Sequence, residues 1–462
     1  MESFWDYSVW GFFNLIAVLM ISLLAANALE RSVPFFKSSL IPTSVLGGLM
    51  LLIVASVYRV VTGNMMFNTD FFGGNGSDNL EIITYHTLAL GFIASTFRSN
   101  EGKLTKTRAR EIFNTGVTTV STYLLQGILG LIISIVAVKM IPGFFNAAGI
   151  LLPFGYGQGT GQALNYGGIF ENDYGFVGGK SFGLSIAALG FLSASIGGVI
   201  YLNILKKKGR VTSIGEDEKS ILSEEIQGEN EIPMQRNMDK ITVQVALVIV
   251  GYLIAFVFMK LLAQAIPSMG SVIFGFNFIM GVLAAALMKG ALNSLKKAGL
   301  VKKEYVNNFL MTRVSNFFFD VMVVAGVAAI RIHIIKDYWA VILAMAVVGL
   351  VITFAYNRVV ANRLFPDYKD EQFLMMYGML TGTASTGTIL LRELDNEFKT
   401  PASSNMVYQN FPAIVFGFPL MLLATMAPKQ PILTLGILVG FFLVMNVILF
   451  RSSIFKRGKK VE

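Results

Sequence analysis

The chain has 462 residues, of which 54% are hydrophobic and only 14% are charged, with a net charge of +9 and a mean hydropathy of +0.64. An average soluble domain carries about 25% charged residues, so this composition excludes a soluble enzyme and predicts roughly a dozen membrane spans of about 20 residues. Cysteine is absent and there are only two histidines, which excludes disulfides, thiolate metal sites and a cysteine nucleophile.

The hydropathy pattern predicts one set of apolar segments before residue 206 and a second set after residue 240. In chain order, the first set covers about 10–29, 41–61, 79–97, 112–138, 147–170 and 181–204. The second set covers about 241–265, 271–288, 305–330, 338–357, 373–391, 404–426 and 431–450. A shift of about 221 residues places the first set on the second, except for the last segment. We therefore predict two repeats, 1–205 and 241–426, followed by an extra helix and a basic tail at 427–462.

Two of these segments contain a glycine-rich polar run that interrupts the apolar pattern. One run is Gly155–Gln162, within 147–170, and the other is Gly378–Thr388, within 373–391. Such backbone is poorly covered, and uncovered backbone is tolerated at membrane depth only where protein or a water-filled cavity surrounds it. Broken segments at corresponding positions of two halves indicate a transporter's binding site. Helix packing through small residues is the alternative, although it favours apolar rather than polar neighbours.

The distribution of lysine and arginine predicts the orientation of the chain. With the N-terminus outside and each broken segment entering and leaving on one side, 29 of the 37 basic residues lie in cytoplasmic loops and five in outer loops. This asymmetry follows the positive-inside rule and explains the net charge without nucleic acid. If both broken segments crossed the membrane, the basic residues at 206–240 and 289–303 would face outside. We therefore predict an all-α polytopic membrane protein with two inverted repeats of five spans, each with a re-entrant glycine-rich hairpin, plus one C-terminal helix.

The stretch at 206–240 separates the two predicted repeats. It contains Lys206-Lys207-Lys208, Glu216-Asp217-Glu218 and Pro233. It is too short and too polar to form a folded domain, so it is predicted to be a flexible cytoplasmic linker.

The residues of the two glycine-rich runs are predicted to bind the transported solute. Glycine permits a positive φ and a close approach of the backbone, while helix ends at a break aim N–H groups at an anion and carbonyl groups at a cation. Hydroxyl and amide side chains add donors, and oxygen ligands for a polar solute or an alkali cation. The candidate substrate-binding residues are Gln158, Gly159, Thr160, Gly161, Gln162, Thr381, Gly382, Thr383, Ala384, Ser385 and Thr386.

Three polar residues share one face of the span at 305–330. Arg313, Asn316 and Asp320 follow the spacing i, i+3 and i+7, and charged groups within spans are functional candidates because burying them in lipid is costly. One interpretation has Arg313 neutralising a substrate carboxylate, while Asp320 and Asn316, with Ser385 and Thr386, hold the coupling cation. The other has Arg313 extending to the inner membrane interface and Asp320 pairing with Arg313 or Asn316.

The span at 112–138 is polar on one side. The polar residues are Asn114, Thr115, Thr118, Thr119, Ser121, Thr122 and Gln126. Because lipid offers these groups no hydrogen-bond partner, this side is predicted to face protein.

Both glycine-rich runs resemble those of bacterial sodium/glutamate symporters. In the first half, the similarity is carried by Gly159-Thr160-Gly161, Tyr174-Gly175-Phe176, Gly197-Gly198, Ile41-Pro42 and Gly47-Gly48. In the second half it is carried by Gly382, Thr383, Ala384 and Thr386. The similarity covers roughly residues 40–200 and 300–425. Gln158, Gln162 and the high threonine and serine content of the second run depart from the family pattern.

This resemblance implies sodium-driven uptake of L-glutamate by alternating access in a bacterial inner membrane, with Na+ as coupling ion and no cofactor. It also implies two re-entrant loops that meet at the site, and a homodimer in which a transport domain moves against a scaffold. The residues alone indicate a carrier for a small polar anion or zwitterion. A sodium-coupled carrier of di- or tricarboxylates such as citrate is one alternative, and a channel is another. No enzyme is expected, because the spans contain no paired acidic residues and no nucleophile–base pair.

Overall fold

The computed structural model describes residues 3–98, 105–211, 231–234, 238–395 and 399–451, and the regular elements within these ranges are helices. An isolated backbone bridge joins Glu231 and Glu304. Apolar runs form helices because a helix pairs its backbone N–H and C=O groups within one segment, as a lipid environment requires. The predicted all-α membrane class is confirmed.

The described residues before position 212 form seven α-helices. Their bounds are α1 Tyr7–Ser32, α2 Pro34–Ser39, α3 Thr43–Thr62, α4 Gly76–Phe97, α5 Lys106–Met140, α6 Leu151–Tyr174 and α7 Gly179–Lys207. Local sequence sets several of these ends. Gly63 closes α3 with a φ of +77°, and the Thr105 side chain caps α5 by accepting a hydrogen bond from the Arg108 N–H.

The described residues from position 238 onward form eleven α-helices. Their bounds are α8 Lys240–Ala265, α9 Gly270–Gly275, α10 Asn277–Lys297, α11 Asn308–Ala328, α12 Ile332–Ile335, α13 Trp339–Leu364, α14 Lys369–Thr381, α15 Ala384–Arg392, α16 Ala402–Tyr408, α17 Asn410–Met426 and α18 Pro431–Leu449. Asp239 caps α8 by accepting a hydrogen bond from the Ile241 N–H, and Pro431 begins α18.

Within the described residues, ten helical stretches are long and apolar enough to cross a membrane. The pair α16 and α17, bent by 50° at their junction, makes an eleventh if it is counted as one span. These stretches cover the eleven spans that the hydropathy pattern predicts. The helices that contain the glycine-rich runs, α6, α14 and α15, are not among them.

The chain divides into two compact units that do not coincide with the two halves of the sequence. Unit 1 comprises Met1–Leu19, Asn64–Lys103 and Asp217–Gly326, and unit 2 comprises Met20–Gly63, Leu104–Glu216 and Val327–Glu462. Each unit therefore draws helices from both halves. The predicted repeat boundaries stay a prediction.

Unit 1 packs α4, α8, α10 and α11 around an apolar core. A β-carbon built on Gly91 would lie 2.7 Å from the Phe319 ring, so the missing side chain allows α4 to approach α11 closely. Ser315 on α11 donates a hydrogen bond to the Gly91 carbonyl oxygen at 2.9 Å. The buried core residues are Leu90, Ile93, Ala94, Phe97, Val248, Ala285, Val306, Met311 and Val314.

Unit 2 contains both glycine-rich runs. Its α6 and α7 pack along each other at small residues, and a β-carbon built on Gly183 would lie 2.5 Å from the Ala163 carbonyl oxygen. α5 packs against α13, α17 and α18. The polar side of α5 faces protein, as predicted, because its polar residues are buried: Asn114, Thr115, Thr118, Thr119, Ser121, Thr122 and Gln126.

The predicted linker at 206–240 is ordered at both ends. At its start, α7 continues to Lys207, and Arg210 forms ion pairs with Asp370 and Glu371. At its end, Glu231 accepts hydrogen bonds from the buried Lys240 ammonium group at 2.6 Å and from Asn307 at 2.7 Å. Charge pairing therefore joins residues at both ends of the predicted linker to other parts of the chain, and the linker itself stays a prediction. Residues 212–230 and 235–237, and the predicted basic tail from 452 onward, lie outside the described residues.

Candidate functional site

The first glycine-rich run breaks α6 at Gly159. This residue has a φ of +79° and a ψ of −170°, values that are not helical. A positive φ strains any residue that carries a β-carbon, so glycine is strongly favoured at this position. α6 therefore consists of two helical limbs, 151–158 and 160–174, joined by one unwound residue.

The second run breaks the backbone between α14 and α15. Gly382 and Thr383 follow the last residue of α14, and both leave the helical region, with φ values of −141° and −142°. A β-carbon built on Gly382 would lie 2.8 Å from Thr386 Oγ1 and 3.1 Å from the Phe191 ring. Space, rather than φ, therefore requires glycine at position 382.

The two breaks lie against each other within unit 2. A β-carbon built on Gly159 would lie 3.3 Å from Thr383 Cγ2 and 3.8 Å from the Gly382 carbonyl oxygen. The two breaks, one from each half of the sequence, are thus so close that a single β-carbon added at Gly159 would touch the second break.

Four helix ends converge at this contact. The limb 151–158 and α14 end there and present their last carbonyl groups, while the limb 160–174 and α15 begin there and present their first N–H groups. Thr383, the residue that precedes α15, makes no side-chain hydrogen bond to the N–H groups of that helix. The site therefore combines positive helix ends, which suit an anion, with negative helix ends, which suit a cation.

The residues predicted to bind solute differ in their exposure. Gln158, Thr383 and Ser385 are half-buried, and Ala384 is exposed. The buried members of the set are Gly159, Thr160, Gly161, Gln162, Thr381, Gly382 and Thr386. The start of α15 and the side chain of Gln158 are therefore the accessible parts of the two breaks.

α5 holds the last turn of the helix before each break. Tyr123 donates its hydroxyl hydrogen to the Gly157 carbonyl oxygen at 2.9 Å. One turn later, Gln126 Nε2 donates to the Leu380 carbonyl oxygen, also at 2.9 Å. Both carbonyls belong to helix ends that would otherwise be short of partners. α5 therefore positions both breaks through two side chains on one face.

α7 connects the same two helix limbs from another direction. The Tyr156 hydroxyl lies 2.8 Å from Ser193 Oγ and donates to the Ala346 carbonyl oxygen on α13 at 2.6 Å. The Tyr377 hydroxyl on α14 donates to the Ser193 carbonyl oxygen at 2.7 Å. Ser193 thus contacts both limbs, and α7 joins α5 in holding the two breaks together.

The base of α14 is anchored by a buried carboxylate. Asp370 is 2% exposed and accepts hydrogen bonds from the Tyr201 hydroxyl at 2.5 Å, from Arg358 at 2.8 Å and from Arg210. Arg210 also pairs with Glu371 at 3.3 Å. Because these residues come from α7 and the segment after it, α13 and α14, the cluster fixes the start of α14 to its neighbours, within the same unit as the breaks.

The three polar residues of α11 belong to unit 1, whereas both breaks belong to unit 2. Arg313 and Asn316 are exposed and Asp320 is half-buried. The Arg313 guanidinium lies 4.9 Å from the centre of the Phe309 ring, one turn earlier on the same helix. The roles in substrate and sodium binding that the sequence predicts for these residues stay predictions.

Sequence reasoning missed the side chains that hold the breaks. It placed Gln126 on a protein-facing side of its helix but assigned it no role, and it did not single out Tyr123 or Ser193. The available signal was the spacing of Tyr123 and Gln126, which lie about one helical turn apart on α5. That signal does not say which backbone carbonyl either side chain reaches.

Comparison with protein-family models gives no match, and comparison with curated proteins also gives none. Among the described residues, no group of three or more histidine or acidic side chains is placed to hold a metal ion. The oxygen atoms at the breaks are those of hydroxyl groups, amides and backbone carbonyls. The geometry of the two breaks is accordingly the main support for a function.

Proposed function

We propose that the chain is a secondary active transporter that couples the entry of Na+ to the uptake of L-glutamate by alternating access. The observation that carries this proposal is the contact between the two breaks, at Gly159 and Thr383. Paired broken segments whose unwound backbone lies inside protein are typical of the binding sites of secondary transporters.

The order of the helices supports two inverted repeats, each with a re-entrant hairpin. In the first half, α1, α3, α4 and α5 precede the broken α6, and α7 follows it. In the second half, α8, α10, α11 and α13 precede the broken pair of α14 and α15, and the bent pair of α16 and α17 follows it. Five spans in each half, an odd number, invert the second copy relative to the first. α18 is then the extra helix.

The proposed setting is a bacterial inner membrane, with the N-terminus outside, the C-terminus in the cytoplasm, and two copies of the chain in a homodimer. The excess of lysine and arginine in the predicted cytoplasmic loops supports this orientation. The dimer follows from the family resemblance, and native mass spectrometry of the purified protein tests it.

The chemistry of the breaks favours an amino acid over a tricarboxylate. The polar side chains there are neutral glutamines, threonines and a serine. The two helix N-termini suit two carboxylates, and the two C-terminal ends suit an ammonium group or a metal cation. L-Glutamate carries two carboxylates and one ammonium group, whereas citrate carries three carboxylates and no positive group. The balance of helix ends therefore matches glutamate better.

Sodium supplies the positive charge that balances the substrate. Glutamate has a net charge of −1, and the residues of the two breaks provide no cationic side chain to neutralise it. A co-bound Na+ therefore raises the affinity for glutamate, and by linkage glutamate raises the affinity for Na+ to the same extent. The hydroxyl groups of Ser385 and Thr386 are the oxygen ligands predicted for the ion at the second break.

Uptake of labelled glutamate into proteoliposomes tests the proposed function. We expect accumulation with an inward sodium gradient and none when choline replaces sodium. Sodium-dependent uptake of labelled citrate without glutamate uptake would select the alternative substrate class. Electrical currents far above carrier turnover rates, without accumulation, would instead indicate a channel.

A further inference from the structure

α5 and α13 enclose a cluster of neutral polar side chains beside the second break. α5 contributes Thr122 and Gln126, and α13 contributes Thr353 and Asn357, all four of which are fully buried. Gln126 Nε2 donates to Thr353 Oγ1 at 2.9 Å. Asn357 Nδ2 donates to Thr122 Oγ1 at 3.3 Å and to the Thr353 carbonyl oxygen at 2.9 Å. These contacts link the four residues into one group, here termed the Gln126–Asn357 cluster.

The cluster has its amide N–H groups paired but leaves two acceptors unpaired. Gln126 Nε2 uses one N–H for Thr353 and the other for the Leu380 carbonyl oxygen, and Asn357 Nδ2 likewise has two acceptors. Gln126 Oε1 and Asn357 Oδ1 are buried and have no hydrogen-bond partner. Buried polar atoms in native proteins are almost always satisfied, so these two oxygens indicate a bound species that the protein chain does not supply.

The orientation of both amides is determined by their neighbours. Rotating the Gln126 amide by half a turn would bring Oε1 against the Leu380 carbonyl oxygen. The same rotation of Asn357 would bring Oδ1 against the Thr353 carbonyl oxygen. Two acceptors in contact repel each other, so the free atoms of the cluster are oxygens.

The electrostatic surroundings of the cluster favour a cation over a water molecule alone. Leu380 lies in the last turn of α14, and the C-terminal end of a helix carries a partial negative charge. The Gln126 amide donates an N–H to this end, and that hydrogen bond polarises the amide, so the free Oε1 is a stronger ligand for a cation. The four members of the cluster carry no formal charge. Helix C-terminal carbonyls and neutral oxygens are the ligands that transporters use for Na+.

We propose that the Gln126–Asn357 cluster is a sodium site, with Gln126 Oε1 and Asn357 Oδ1 as ligands and the hydroxyl oxygens of Thr122 and Thr353 as further ligands. This site rests on the proposed sodium coupling, and its residues differ from those that the sequence predicts for sodium. An ion bound there orders Gln126 and, through it, the end of α14 at Leu380. The ion therefore stabilises the second break, which is where the glutamate is proposed to bind.

Binding of ²²Na+ to the purified full-length protein, measured by scintillation proximity without amino acid, tests this site. We expect Gln126→Leu and Asn357→Leu each to weaken sodium binding at least about tenfold or to remove one bound ion. Thr118→Val is the matched control, because Thr118 lies one turn before Thr122 on α5, is equally buried, and donates its hydroxyl hydrogen to the Asn114 carbonyl oxygen of its own helix. This control is expected to bind sodium as the wild type does.

Thr122→Val keeps the side-chain volume and removes the hydroxyl oxygen of one proposed ligand, so it decides the matter if the leucine variants do not fold. We expect it to bind sodium several-fold more weakly than the wild type, whereas Thr118→Val binds sodium as the wild type does. Equal sodium binding by the wild type and by all the variants overturns the site but leaves the proposed function standing. A wild-type protein that binds no sodium overturns both the site and the sodium coupling.

Discussion

The side chain of Thr383 lies against Gly159, where the α6 backbone is unwound. A β-carbon built on Gly159 would be 3.3 Å from Thr383 Cγ2, closer than most real contacts of a β-carbon. The same glycine has a φ of +79°. Conformation therefore favours glycine at position 159, and a β-carbon added there would press against the Thr383 methyl group.

A cysteine pair at this point is expected to form a disulfide. The chain has no cysteine of its own, so Gly159→Cys combined with Thr383→Cys gives a pair free of background thiols. A protease site placed between residues 212 and 230 would separate the two halves after oxidation in membranes. We expect the fragments to stay joined until a reductant is added. In the control, either single-cysteine variant, the fragments must separate without reductant. If the fragments of the double variant also separate without reductant, the breaks do not meet.

Gly159→Ala is expected to lower sodium-driven glutamate uptake at least about tenfold, because a β-carbon at a positive φ with an extended ψ costs roughly 1–3 kcal/mol before the contact with Thr383 is counted. Proteoliposome uptake at equal protein density measures the effect. Gly63→Ala is the matched control, because Gly63 also has a positive φ, +77°, but nothing lies within 4 Å of its added β-carbon. Equal loss of uptake in both variants would assign the effect to backbone strain in general rather than to the break.

Tyr123→Phe is expected to reduce the rate of uptake about fivefold, because it removes one hydrogen bond worth about 1 kcal/mol from the helix end before the first break. Tyr174→Phe serves as the control. It removes a similar bond, from a tyrosine hydroxyl to the Thr425 carbonyl oxygen at 2.8 Å, at the far end of α6. Initial rates of uptake compare the two variants, and a larger loss in the control would contradict a positioning role for Tyr123.

Arg313→Ala separates the two interpretations of this residue: if Arg313 neutralises a substrate carboxylate, losing a charged hydrogen bond worth about 1.5–3 kcal/mol raises the KM for glutamate at least about tenfold. Concentration-dependent uptake measures it. Arg363→Ala is the control, because Arg363 is also an arginine near an aromatic ring, 5.9 Å from the centre of Phe450. If the Arg313 variant keeps the wild-type KM, Arg313 does not bind the substrate. The position of the wild-type guanidinium, 4.9 Å from the centre of the Phe309 ring, then supports a side chain that extends to the membrane interface.

Asp370→Asn is expected to destabilise the protein by about 3–5 kcal/mol, because it removes a buried negative charge that Arg210 and Arg358 share. Thermal unfolding of the purified protein measures the loss, which we expect to lower the melting temperature by at least about 5 °C. Asp367→Asn, three positions earlier and exposed, is expected to change little. A melting temperature as high as that of the wild type would show that the cluster at the base of α14 contributes nothing to stability.

The sequence by itself determined the features that depend on local composition. The all-α membrane class and the helices long enough to cross a bilayer follow from the apolar runs, because within lipid a helix is how a single segment pairs all of its backbone groups. The two breaks could be located from the sequence because glycine and polar residues cluster within a few positions of Gly159 and Gly382. The polar side of α5 was also predictable from residue type and helical spacing.

Only the tertiary structure decided which distant groups come together. It brings Gly159 close to Thr383, and it lets Tyr123 and Gln126 donate hydrogen bonds to the carbonyl oxygens before the breaks. It also places Arg313 in unit 1, whereas both breaks belong to unit 2. It also gives Arg210 and Glu231, at the two ends of the predicted linker, their charged and polar partners. These outcomes depend on how helices far apart in the chain pack together. A shift of one helical turn along a helix changes which residues meet, and hydropathy carries no information on that alignment.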